Sequence, residues 1–178
     1  MSDEKLIISP FEGYVPEIGR MLWQMDDTRQ RTLNTLSQMS PALIDWVPPH
    51  PRMNSIGTLL YHIAEVELAW VLADILRMSE FPPDMMALFP HEPRDETGKL
   101  TLITGVSLDE HLARFTAVRQ RIQAVFKTMT LEDFRQAREL PGEYDVTPEW
   151  VLYHLIQHES EHHGELMTIA VMASMSQA

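Results

Sequence analysis

Apolar residues recur at intervals of three and four along four long segments of the chain, residues 16–39, 54–78, 108–129 and 148–175. This spacing is typical of amphipathic α-helices. Seven glycines, twelve prolines and no repeated period argue against a strand-rich or repeat protein. The pattern therefore predicts an all-α fold, a four-helix bundle, with residues 1–178 forming one domain.

The predicted helix starts carry residues that commonly begin helices. They are Pro16, then Asn54 or Ser55, then a capping box of Ser107 and Glu110, and finally Thr147 followed by Pro148. Residues 79–106 contain four prolines and mixed polarity, which predicts a long connection between the second and third helices with one helical turn around Met85 and Met86. Long connections often border functional sites.

Composition narrows the classes of function. The formal charge of −12 disfavours nucleic acid and anionic membranes as partners. No cysteine is present, so a thiol nucleophile of the protein itself is excluded and a metal would need His, carboxylate or water ligands. The acidic N-terminus does not resemble a secretory signal, and no apolar run approaches the roughly 20 residues of a membrane span. We expect a soluble protein, and a cytoplasmic setting fits.

The histidines are the strongest chemical signal. His154, His158 and His162 follow one another at intervals of four and lie along one stripe of a helix, so two consecutive members can share a metal. His62 lies in the most apolar helix, where its ring needs a partner or a metal. His62, His158 and His162 would form a three-imidazole site with an open position. The remaining candidates, His50, His91 and His111, lie beside charged residues and are expected at the surface.

Two familiar metal motifs fit only partly. Residues 158–162 match the H-E-x-x-H pattern of zinc proteases, but the third ligand that such proteases take downstream is missing. Glu159 is then either solvent-facing or a partner of the metal ligands. A di-iron carboxylate site needs a glutamate three residues before His62, and Leu59 stands there. Both patterns are therefore disfavoured.

The segment SIGTLLYHIAEVE, with His62, and the segment TPEWVLYHLIQHESEHHGEL, with His158, His162 and Gly164, resemble the DinB/YfiT-like family. Members of that family have a ligand histidine in the second helix and an H-x-x-x-H-x-G pair in the last. The resemblance extends over residues 16–173 and includes the DW dipeptide before the second helix. Relatives often have arginine or alanine after the last ligand, where this chain has His163.

The resemblance implies a four-helix bundle with a divalent metal, usually zinc or nickel, held by His62, His158 and His162 with water completing the shell. It also implies a small-molecule substrate and often a homodimer. Characterised relatives include thiol-dependent S-transferases and a maleylpyruvate isomerase, which use a low-molecular-weight thiol. A ligand role for His154 or His163 stays open, although His154 is expected to be a core residue or to line the stripe.

We expect the metal to activate a thiol that arrives as cosubstrate and attacks an electrophilic carbon. Glu65 and Glu161 are candidate catalytic residues that orient a ligand or handle a proton. Trp70, Trp150 and Tyr153 are expected in the core, with pocket lining as the alternative. Competing functions are a metal-dependent hydrolase that uses bound hydroxide, and a non-catalytic stress-response bundle whose metal shell His154 or Glu161 closes.

Overall fold

The computed structural model of the protein describes residues 7–139 and 144–176. These residues form a mostly helical chain, which confirms the all-α class. The α-helices are α1 (Pro16–Leu36), α2 (Ile56–Ala69), α3 (Pro83–Met86), α4 (Leu108–Lys127), α5 (Leu131–Arg135) and α6 (Pro148–Ser176). A 3-10 turn (Pro41–Leu43), a π-helical segment (Trp70–Ile75) and an antiparallel pair of two-residue strands, β1 (Arg138–Glu139) and β2 (Asp145–Val146), complete it.

The long helix α6 packs against both α1 and α2, and α2 also packs against α4. Their buried apolar side chains form one cluster that extends from Ile18 to Ile169. The four-helix bundle and the single domain over residues 1–178 stay predictions. The first residues of the acidic N-terminus, which does not resemble a secretory signal, lie outside the described part of the chain.

The predicted helix starts are largely confirmed. Ser55, rather than Asn54, caps α2 by accepting a hydrogen bond from the backbone N–H of Thr58 at 3.1 Å. Ser107 and Glu110 form the complete capping box at the start of α4. In the same way, the Thr147 hydroxyl accepts the backbone N–H of Trp150 at 3.0 Å, at the start of α6. These contacts satisfy backbone donors that a helix leaves unpaired in its first turn.

The second helix changes its winding at residues Trp70–Ile75, where the chain becomes π-helical. The backbone N–H of Leu76 bonds to the carbonyl of Val71, five residues earlier, and Arg77 ends the segment with a φ of 59°. Apolar residues at intervals of three and four predicted one continuous α-helix to residue 78. Such spacing does not distinguish an α-helical turn from a single wider turn, so the π-helical segment was not predicted.

The segment Ile56–Ile75 is long and apolar enough by composition to cross a membrane, with a mean hydropathy of 1.4, so the expectation that no run approaches this length was wrong. Within the structure, however, 67% of the tested window is buried against the rest of the chain. The core helix of a globular protein passes the same test, because all of its faces contact other apolar side chains. The apolar surface of this segment is therefore used by the protein's own core.

Four buried charged residues, one from each long helix, meet in the centre of the protein. Arg29 of α1 donates from Nε to Glu159 Oε1 of α6 at 2.6 Å and from Nη2 to Glu67 Oε1 of α2 at 3.0 Å. Arg119 of α4 donates to Glu67 at 2.5 Å and to Glu159 at 3.5 Å. We refer to these four residues as the charge quartet. Its formal charges cancel, and each member is at most 9% exposed.

The charge quartet keeps the Glu67 carboxylate ionised despite burial. Burial alone would raise the pKa of Glu67, but Arg119 and Arg29 outweigh that effect and hold its pKa below the usual value. The guanidinium of Arg29 also lies 3.7 Å from the centre of the Phe115 ring, so its face is covered as well as its edge. Glu159, which was expected to be solvent-facing or a partner of the metal ligands, therefore belongs to a structural ion-pair network.

Expectations about burial were wrong at three residues. His111 is only 1% exposed, and its Nδ1 lies 2.9 Å from Nη1 of Arg114 on the same helix. His111 was expected at the surface because charged residues lie beside it in the sequence. Asp109 and Glu110, however, lie on other faces of the first turn of α4. Trp150 and Tyr153, expected in the core, are 45% and 50% exposed.

The charge quartet yields a test of stability. We expect Glu67→Gln to lower the free energy of unfolding by about 3 kcal/mol, because removing one member leaves two buried guanidinium groups without full compensation. The exposed pair of Arg31 and Asp27, whose side chains are 70% and 39% exposed, offers a matched control. Asp27→Asn should cost less than about 1 kcal/mol. Equal, small losses in urea denaturation of the two variants would contradict the importance given to the quartet.

Candidate metal centre

Three histidine rings converge between α2 and α6, as the sequence predicts. His158 and His162 lie one turn apart on α6, and their Nε2 atoms are 3.1 Å from each other. The Nε2 atom of His62, on α2, lies 3.3 Å from Nε2 of His158. All three ligand atoms fall within 4.8 Å of one another. Each ring therefore turns a nitrogen toward the same point.

The spacing of these nitrogens fits a metal ion. A tetrahedral zinc ion with Zn–N bonds of about 2.0–2.1 Å holds its ligand nitrogens about 3.3 Å apart, close to the 3.1 Å and 3.3 Å found here. Without a cation, one proton can form a hydrogen bond between only one pair of these nitrogens, and the lone pairs of the remaining nitrogens repel each other. The arrangement is explained by a shared divalent ion better than by hydrogen bonds among the rings.

The surroundings keep two of these rings neutral. Burial lowers the pKa of His62 to about 4, and His162 and Arg94 act in the same direction. Burial lowers the pKa of His158 to about 3, with His162 and His62 adding to the effect. Metal ligation requires the unprotonated imidazole, so at neutral pH these rings are in the form that binds.

A carboxylate orients the third ring. Nδ1 of His162 lies 3.0 Å from Oε2 of Glu165, one turn further along α6. Such a contact favours the tautomer that carries hydrogen on Nδ1 and leaves the Nε2 lone pair for the metal. The Nδ1 atoms of His62 and His158 are buried and have no hydrogen-bond partner among the described residues. In the described part of the chain, Glu165 is thus the one carboxylate that contacts a candidate ligand ring directly.

Glu65 lies one turn after His62 and is partly buried. Burial and, to a smaller extent, Glu92 raise its pKa to about 7, although Arg94 opposes the shift. Both neighbours belong to the long connection between α2 and α4, which Tyr61 anchors by exchanging two 3.0 Å hydrogen bonds with the backbone of His91. The connection therefore borders the site, and Glu65 has a pKa suited to proton transfer near neutrality.

The other candidates lie outside the group of three rings. His154 stacks on Trp150, with ring centroids 5.0 Å apart and planes at 9°, and its centroid is 6.0 Å from that of His158. His163 turns to Thr35 of α1, with Nε2 and the hydroxyl oxygen 2.8 Å apart. Glu161 is exposed on α6, so its catalytic role stays a prediction. Within the described residues, no fourth side chain joins the group.

Sequence reasoning missed the contribution of Glu165. The signal that could have found it is the three-residue spacing from His162, which places the two side chains on adjacent turns of one helix face. Gly164, part of the family signature, has open space around it: a Cβ atom there would meet nothing within 4 Å. Packing within the described chain does not require this glycine.

Comparisons with known proteins agree with this fold. Residues 24–166 match the profile of the DinB superfamily. The chain is similar to the uncharacterized protein YkkA of Bacillus subtilis, with 24% identity over 153 residues and 85% of each chain covered. Similar folds occur in a conserved protein from Enterococcus faecalis and in an uncharacterised protein from Escherichia coli. The first has a TM-score of 0.65 at 18% identity and covers 85% of this chain and 94% of its own. The second has a TM-score of 0.59 at 12% identity and covers 90% and 96%.

The geometry of the three rings predicts which histidines a metal needs. After incubation with zinc and removal of free ions, we expect about one ion per chain in the wild type and almost none in His62→Ala or His162→Ala. His154→Ala and His163→Ala are matched controls and should keep the ion, because their rings contact Trp150 and Thr35 instead. Mass spectrometric metal analysis checks this. Loss of the ion in the control variants alone would mean that the ligands are different histidines.

Proposed function

Because the chain belongs to the DinB superfamily, we propose that it is a metal-dependent enzyme, a transferase that joins the sulfur of a small thiol to an electrophilic small molecule. The observation that supports this proposal is the convergence of three imidazoles with no fourth protein ligand among the described residues. Structural zinc sites are closed by four protein ligands, whereas catalytic sites keep a position open. Zinc or nickel is the ion that we propose.

His62, His158 and His162 would hold the ion, and a divalent ion held by neutral ligands lowers the pKa of a water or thiol that it binds. The protein has no cysteine, so the reacting sulfur has to come from a thiol cosubstrate. In the proposed step the S–H bond breaks, the sulfur forms a bond to the electrophilic carbon, and the Glu65 carboxylate accepts the proton. Glu65 then returns that proton to the product or to the leaving group.

We propose that the four long helices form a four-helix bundle, which would give such a site rigid support. The charge quartet supports the proposal because it ties α2 to α6 close to the three histidine rings. Glu67 is five residues from His62, and Glu159 is adjacent to His158. We further propose a homodimer, as the family resemblance implies, and a cytoplasmic setting, which fits the absence of cysteine. Glu161 remains a second candidate for proton handling, although its exposure favours Glu65.

A metal-dependent hydrolase would use the same three histidines, with water in place of the thiol. Glu65 would then accept a proton from that water. The same residues would therefore serve either reaction, and the two reactions would differ only in the nucleophile. A non-catalytic bundle would need a fourth ligand, and the two side chains considered for that role, His154 and Glu161, lie elsewhere. The open position therefore favours the two enzymatic functions over the binding function.

A thiol-dependence screen separates the two enzymatic functions. Zinc- or nickel-loaded protein is incubated with model electrophiles such as chlorodinitrobenzene and with model esters, each with and without a low-molecular-weight thiol. We expect conjugation that requires both the thiol and an intact His162, with His163→Ala as the control that retains activity. Ester cleavage that is independent of thiol would instead support the hydrolase, and absence of both reactions in metal-loaded protein would contradict an enzymatic role.

The raised pKa of Glu65 predicts a pH dependence. A carboxylate accepts protons only when ionised, so the rate should rise as the pH increases through the pKa of Glu65, which burial raises to about 7. A bound dication would move this limb to lower pH, since it favours the ionised form. Glu65→Gln should remove the limb and lower kcat/KM by about a hundredfold.

The control for this experiment is Glu132→Gln, on the exposed surface of α5, which should leave the profile unchanged. Metal content is measured for both variants. An unchanged pH profile in Glu65→Gln, at normal metal content, would assign the proton transfer to another group.

A further inference from the structure

A cavity lies beyond His154, where the π-helical segment Trp70–Ile75 meets β2 and the start of α6. It has a volume of about 340 Å³ and is lined by Trp70, Tyr144, Asp145, Val146, Thr147 and Trp150. Three of these six side chains are aromatic, and the reaction proposed above uses none of them. We refer to this cavity as the aromatic pocket.

The rings of the aromatic pocket form a wedge. The Trp70 ring lies 5.4 Å from that of Trp150 at 53° and 5.9 Å from that of Tyr144 at 35°, measured between centroids. Tyr144 and Trp150 are 44% and 45% exposed, so their faces are accessible from solvent. Large aromatic side chains held in contact with each other, yet open on one side, offer π faces to a ligand.

The charged residue described in the lining of the pocket is acidic. Asp145 lines it, and Tyr144 donates its hydroxyl to Oδ1 of Asp74 at 3.0 Å. None of the described lining residues is Lys or Arg, and the chain as a whole carries a formal charge of −12. Aromatic faces attract cations through their quadrupole, and a nearby carboxylate strengthens that attraction. An anionic ligand would be repelled by the same surroundings.

His154 connects the aromatic pocket to the metal centre. Its ring stacks on Trp150 and lies 4.9 Å from Trp70 on one side, and its centroid is 6.0 Å from that of His158 on the other. Trp150, His154 and His158 follow at intervals of four on α6, so they lie along one face. Eight residues of helix correspond to about 12 Å from Trp150 to His158. One elongated molecule can reach both.

We propose that the aromatic pocket binds an alkylated ammonium group, and that the substrate or thiol cosubstrate carries this group about 12 Å from its reacting atom. The π faces of Trp70 and Trp150 contact the alkyl groups, and Asp145 compensates the charge. Only the link to the reacting atom rests on the proposed function. Binding of the cation itself requires no metal and no activity.

The test compares choline with dimethylbutanol, in which a carbon atom replaces the ammonium nitrogen at nearly the same size. Isothermal titration calorimetry of the full chain should show choline binding at least about tenfold more tightly. Trp150→Leu should abolish the difference, while Trp150→Phe, which keeps an aromatic face, should preserve most of it. Asp145→Asn should weaken choline about threefold to tenfold and leave dimethylbutanol unchanged.

Two controls keep this experiment independent of the metal site and of folding. Trp23→Phe changes a tryptophan of α1 far along the chain and should bind choline as the wild type does. His158→Ala, which loses a metal ligand, should also retain choline binding, so failure of the proposed function leaves this result intact. Equal binding of the two probes, binding of neither, or choline binding that survives both Trp150→Leu and Asp145→Asn would overturn the proposal.

Discussion

Four charged side chains in the centre of the protein, Arg29, Glu67, Arg119 and Glu159, come from four different long helices. Within residues 7–139 and 144–176, their ion pairs are with one another. An ion removed from water is costly unless its partners are correctly placed, so the quartet tolerates little rotation of any helix. Apolar side chains alone would allow several similar packings. We infer that the quartet sets the rotation of the helices, and that the position of the metal ligands follows from it.

The protein thus places two sets of polar side chains near each other, the buried charge quartet and the three partly buried histidines. The formal charges of the quartet cancel, whereas burial keeps His62 and His158 neutral, in the form that can accept a metal ion. The carboxylate of Glu67 lies near enough to act on His158, since its charge tends to raise the pKa of that ring, although burial dominates. Because the charge quartet links the helices, the histidine rings do not have to stabilise the fold and remain available to bind an ion.

Local patterns in the sequence predicted much of this structure. Helices, their caps and the three ligand histidines follow from spacings of three and four residues, and such spacings express helix geometry directly. The charge quartet could not be predicted in this way, because Arg29 and Glu159 are 130 residues apart and meet only when the rotation of each helix is known. The burial of His111 and the exposure of Trp150 depend on the same information.

The π-helical segment Trp70–Ile75 separates the metal centre from part of the aromatic pocket. A π-turn contains one residue more than an α-turn, and loss of a single codon between Val71 and Asp74 would restore ordinary winding. The wider turn takes up its extra residue locally, so residues beyond the deletion would keep nearly their present orientation. His62 and Trp70 precede the change and would keep their places. Loss of one residue would therefore repack only the short segment that carries Asp74, whose carboxylate accepts the Tyr144 hydroxyl, and would leave the three histidines where they are.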